Sequence, residues 1–125
     1  MSVAAAIRIT SPDEERVIRH AAEFAQQQGK HFFVISIVRE LPYGQISDIN
    51  REIVMRNLEL IAHSNASPVM QEGSDVARTL MAAAKSFGIG TLFLQGGSSH
   101  LLGLSIAEQI LYLDPPFDVV VVGSE

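Results

Sequence analysis

The chain has 125 residues, of which 47% are hydrophobic and 18% charged, and its net charge is −5. That length suits one domain with one core, and the composition excludes a disordered or fibrous chain. The acidic balance argues against a nucleic-acid-binding surface, whose usual footprint is a basic patch, while the lack of cysteine removes disulfides, thiolate metal sites and cysteine nucleophiles together.

The first apolar run, Val3 to Thr10, predicts a strand. It ends at "SPDE", where Ser11 is expected to cap a helix, Pro12 to take its first position and Glu14 to complete a capping box. Val17, Ala21, Phe24 and Ala25 then recur at helical spacing until Gly29 supplies a stop. "HFFVISIV" (His31 to Val38) is β-branched, aromatic and apolar throughout, the pattern of a strand covered on both faces. Ile46, Ile49, Ile53, Leu58, Ile61 and Ala62 mark a second amphipathic helix, and "PVMQE" a short third strand. Ser74 is expected to cap a third helix whose face carries Val76, Ala77, Leu80, Met81 and Ala84, with Gly88 at its end. "TLFLQ", a glycine- and serine-rich turn, a helix through "SIAEQILYL" and the strand "DVVVV" complete the pattern β-α-β-α-β-α-β-α-β.

Such alternation implies crossover connections, and so a doubly wound open α/β domain: a parallel five-stranded sheet with helices on both faces. Ligands of such sheets sit outside the carboxyl ends of the strands, where strand order reverses. The apolar runs "FFVISIV" and "FDVVVV" are shorter than the ~20 residues of a membrane span. The first residues, "MSVAAAIRITSPDEE", lack the basic start of a secretory signal, so the expected compartment is the cytoplasm.

The order of elements, with "ITSPDEERVIRHAAEFAQQQGKHFFVISIV", "GSDVARTLMAAAKSFGI" and "GLSIAEQILYLDPPFDVVVV", resembles the universal stress protein (UspA-like) superfamily, and looks most like the stress-protein domain of KdpD-type sensor kinases. The resemblance covers nearly the whole chain. It implies an adenine nucleotide alpha hydrolase-like fold with strand order 3-2-1-4-5. It also implies a crevice between the first and fourth strands, with Thr10 and Ser11 on one side, Gln95, Gly96, Gly97, Ser98 and Ser99 on the other, and Val38 and Ser105 nearby. ATP-binding members carry an aspartate at the end of the first strand, where this chain has Thr10. Their glycine-rich turn closes on a Gly-Ser/Thr pair, whereas here Leu104 precedes Ser105 and the turn is shorter. The resemblance thus implies a degenerate nucleotide crevice with weak or no ATP binding, holding at most a weakly bound adenine nucleotide or small anion.

Ser105 and Glu108 are spaced as a capping box for the fourth helix, and Gly96 and Gly97 allow backbone N–H groups to turn towards an anion. The same residues equally suit a tight strand-to-helix turn without a ligand. The four histidines, His20, His31, His63 and His100, have no metal-ligand spacing. His63 suits the dipole at a helix end. "QGGSSH" is not a nucleophile elbow, so no catalytic constellation is readable. The final valines, Val119, Val120, Val121 and Val122, would be a hazard as an open edge, and the resemblance implies that they pair with a second copy in a homodimer. Three functional readings follow: a non-enzymatic regulatory or sensory stress-protein-like domain, a regulatory piece fused to or partnered with a membrane sensor kinase or transporter, and a small-phosphate hydrolase.

Overall fold

Among the residues that the computed structural model describes, 1–38, 48–96 and 105–123, strands and helices alternate in the expected order. They are β1 (Ser2–Ile7), α1 (Glu15–Gln28), β2 (Phe32–Val38), α2 (Asp48–His63), β3 (Ser67–Glu72), α3 (Val76–Ser86), β4 (Ile89–Gln95), α4 (Ile106–Tyr112) and β5 (Asp118–Val122). The strands form one sheet in the order β3-β2-β1-β4-β5, and every neighbouring pair is parallel. The doubly wound sheet and its order agree with the sequence reading.

Alternation along each strand divides the core into two layers. On one face Ala4, Leu92 and Leu94 meet Leu80 and Ala84 of α3 and Ile110 of α4. On the other, Val3, Ala5, Ile7 and Phe93 meet Val17, Ile18 and Ala21 of α1 and Ile61 of α2. The central strand carries alanines at positions 4 and 5, both fully buried, and these small side chains let helices approach the middle of the sheet. Phe24 and Phe93 close the second layer with their ring centroids 5.5 Å apart. Each fully buried valine, leucine or isoleucine here, such as Val17, Ile18 or Leu92, stabilises the fold by about 1.5–3 kcal/mol.

Helix ends follow the sequence in part. Gly29 takes a left-handed conformation with φ 63° and its N–H reaches back to α1, as a glycine stop should. The start of α1 differs from expectation, because the helix begins at Glu15, not at Pro12, and Glu14 stands at the N-cap without capping through its side chain. Ser11 lies in the preceding segment, where its hydroxyl accepts from the Asp13 N–H at 3.4 Å. α3 is capped by Asp75 and not by Ser74: the Asp75 carboxylate accepts from the Arg78 N–H at 3.2 Å. The carboxylate also suits the positive end of the helix dipole.

The inward face of α2 agrees with the one read in the sequence at Ile61 and departs from it at Leu58 and Ala62, while Ile46 lies outside the described residues. Leu58 and Ala62 are exposed, whereas Asn57 and Ile61, one turn apart, are buried. The fifth strand is not uniformly sealed either. Val122 is buried and Val119 partly so, but Val120 and Val121 stand 37% and 47% exposed at the edge of the sheet.

Candidate functional site

Because every strand is parallel, the segments that leave the C-terminal ends of β1, β2 and β4 emerge on one edge of the sheet. β1 continues to β2 on one side and β4 to β5 on the other, so the switch point lies between β1 and β4. Along this edge lie Thr10 and Ser11 after β1, Val38 at the end of β2 and Gly96 after β4. Ser105 stands at the start of α4. Gly97, Ser98, Ser99 and His100 lie outside the described residues.

The wall that follows β1 is a built polar structure. Ser11 is buried and its N–H donates to the Arg8 carbonyl at 2.9 Å, closing a turn that leaves Thr10 exposed. Asn57, from the middle of α2, donates its side-chain N–H groups to the carbonyls of Ile9 at 2.8 Å and Ser11 at 2.9 Å. Asn57 is only 1% exposed, so these bonds are made away from water. Sequence reasoning missed it: a lone polar residue inside an apolar periodicity resembles an interruption of the pattern.

Glu14 is the second unexpected member. The sequence places it in a capping box with Ser11, yet its side chain is 4% exposed and lies 3.9 Å from the Arg8 guanidinium. Burial pushes its carboxyl above the ordinary glutamate range, and the hydrogen bond from Ser11 and the charge of Arg8 offset this in part. A carboxyl whose folded pKa exceeds its unfolded one favours the fold while protonated. That contribution is complete below the unfolded value and fades as pH rises through the folded value. We therefore expect Glu14→Gln to flatten the decline in stability between the ordinary glutamate range and neutrality. Urea unfolding of both proteins at pH 5 and pH 7 checks this, and parallel pH dependences would refute it.

Opposite this wall, the Gly96 N–H donates to the Val122 carbonyl at 2.9 Å, continuing the β4–β5 ladder past Gln95. Gly96 does not use the left-handed conformation that glycine permits; among the described glycines only Gly29 and Gly88 do. Space explains it instead, since a Cβ at this position would overlap Cγ1 of Val121. Gln95 has a buried Oε1 that accepts no hydrogen bond among the described residues. Ser105 caps α4 as the sequence predicts: its hydroxyl accepts from the Glu108 N–H at 3.2 Å and donates to the Glu108 carboxylate at 3.1 Å. α4 has seven residues, so it offers only a short stack of peptide dipoles to an anion.

His31 lies away from this edge, at the start of β2, where it bonds Ser67 at 2.8 Å and packs on Phe33. Among the described residues no three acidic or histidine side chains are grouped to hold a metal ion. No helix there is long and apolar enough to cross a membrane.

No protein-family model matches the chain, and no curated protein sequence matches it. Solved structures do. A universal stress protein from Archaeoglobus fulgidus aligns with TM-score 0.70 at 20% identity over 97% of this chain and 92% of its own. The A. fulgidus protein in complex with dAMP aligns with TM-score 0.64 at 19% identity, covering 97% and 96%. A universal stress protein in complex with cAMP aligns with TM-score 0.73 at 16% identity, covering 100% and 98%. The chain has the fold of the universal stress proteins, an adenine nucleotide alpha hydrolase-like parallel sheet of five strands in the order 3-2-1-4-5.

Proposed function

We propose that this chain is a non-enzymatic regulatory domain of the stress-protein type, whose crevice between β1 and β4 holds an adenine nucleoside monophosphate weakly and ATP more weakly still. The observation that carries this reading is the crevice edge itself. The switch point and the capped fourth helix are kept, while β1 ends at Ile7, short of the Val3 to Thr10 run read in the sequence, and Thr10 stands in the turn after it where ATP-binding members carry an aspartate. With Glu14 and Glu15 already paired to Arg8 and Arg56, the described residues between β1 and α1 offer no unpaired cation for added phosphates, and the short α4 offers little dipole to hold them. The buried Oε1 of Gln95 suits a ligand N–H or O–H, since an unmet buried acceptor is costly. Neighbours of this fold bound to dAMP and cAMP support the choice of ligand class.

The same reading includes a homodimer through β5. Val120 and Val121 are exposed on an edge strand, and Leu111 and Tyr112 at the end of α4 are exposed before it. A second copy would cover an apolar edge that otherwise invites uncontrolled pairing.

Calorimetric titration with AMP, cyclic AMP, cyclic dinucleotides and ATP, each followed by an assay for released phosphate, tests the ligand reading. The monophosphates should bind with dissociation constants weaker than about 10 μM, ATP more weakly, and no phosphate should appear. Sub-micromolar ATP binding accompanied by hydrolysis would overturn it.

A further inference from the structure

Once β1 ends at Ile7, the next residues have no strand partner, and their carbonyls must find donors elsewhere. Asn57 supplies two of them. Its carboxamide bridges the Ile9 and Ser11 carbonyls at 2.8 and 2.9 Å across 48 and 46 positions of sequence. A second tie lies beside it, where Arg56 meets Glu15 at 3.4 Å on the surface. Between the two bridged carbonyls stands Thr10, which is exposed in the turn after β1. Ser11, so held, accepts from the Asp13 N–H and donates to Glu14.

We propose that Asn57 is the positioning residue of the crevice wall, fixing from α2 the backbone conformation in which Thr10 and Ser11 are presented to a ligand. The inference rests on the crevice being the binding site, but its structural half can be judged without a ligand. Asparagine suits the task because one carboxamide carries two donors. An ionised aspartate of the same shape would carry none and would set a charge against two carbonyl oxygens. Leucine would fill the space and donate nothing. In α2 the buried row is made by Asn57 with Ile61 one turn on, so an apolar replacement is compatible with the helix staying docked.

The test compares Asn57→Asp and Asn57→Leu with the wild type by amide hydrogen exchange, expressed as protection relative to the unfolded chain. Reporters are the Ser11 and Asp13 amides, with Ala5 and Val34 in the sheet as references. Both variants should lose protection at Ser11 and Asp13 by on the order of tenfold or more at neutral pH while Ala5 and Val34 keep theirs. In Asn57→Asp, acidification to the point where the new carboxyl is protonated restores one donor, so protection at Ser11 should partly return; Asn57→Leu should show no such return. AMP affinity at neutral pH should fall on the order of tenfold in both variants. Unchanged protection at Ser11 and Asp13 would overturn the proposal. So would a loss shared equally with Ala5 and Val34, which would make Asn57 a general support of the fold, and so would an acid recovery in Asn57→Leu as large as in Asn57→Asp. If the wild type binds no adenine nucleotide, the ligand reading fails, and the exchange ratios still decide the role of Asn57.

Discussion

Replacing Gly96 by valine is expected to lower the unfolding free energy by about 1–3 kcal/mol, the usual cost of forcing extra carbons into a filled contact. A Cβ on Gly96 overlaps Cγ1 of Val121, and a β-branched residue has few rotamers with which to evade. The backbone is pinned as well, because the Gly96 N–H is bonded to the Val122 carbonyl at 2.9 Å. The strain should therefore be relieved from the other side. Val121→Ala alone removes a half-exposed side chain and should cost under about 1 kcal/mol. Combined with Gly96→Val, it should recover most of the loss, giving a coupling energy of opposite sign to the single effects. Urea denaturation of the four proteins measures that coupling, and strictly additive losses would show that the overlap is not what excludes a side chain at Gly96.

Val121→Lys is expected to convert a dimer into a folded monomer. In the isolated chain Val121 is 47% exposed, so a lysine there can turn its ammonium to water at little cost. In a sheet continued across two copies, β5 would be an interior strand, and its side chains would be covered by the partner. An unpaired ammonium in that seam costs several kcal/mol, enough to separate the chains at micromolar concentration. Sedimentation should show the wild type as a dimer and the variant as a monomer, and both should keep the same circular dichroism. A wild type that is monomeric at high micromolar concentration removes the strand-paired dimer, and a variant that remains dimeric moves the interface away from β5.

The candidate site was legible in the sequence only in part. The doubly wound parallel class follows from the alternation of elements, whereas strand order and the place of the crevice come only with the family resemblance. Ser105 with Glu108 was readable as a cap because that interaction closes within one helical turn. Asn57 was not, since its partners lie 46 and 48 positions away and nothing local marks which way its carboxamide turns. Glu14 was misread for a related reason. Its spacing from Ser11 suits a capping box, but only the packing of the segment after β1 removes it from water and so raises its pKa.

Hydrophobic periodicity and turn chemistry determined the kinds and order of the elements, because these depend on near neighbours in the chain: Gly29 stops α1 wherever α1 is packed. Tertiary structure decided which faces point inward and where helices begin. Leu58 yields the inner row of α2 to Asn57 since two unpartnered carbonyls after β1 need donors more than the core needs one further leucine. α1 starts at Glu15 because the preceding turn is held by Arg8, Ser11 and Asn57 in a form that a helix from Pro12 could not share. The uneven burial of the final valines is likewise a property of the assembled sheet. Composition alone made all four equivalent, and the edge position of β5 separates the buried Val122 from the exposed Val120 and Val121.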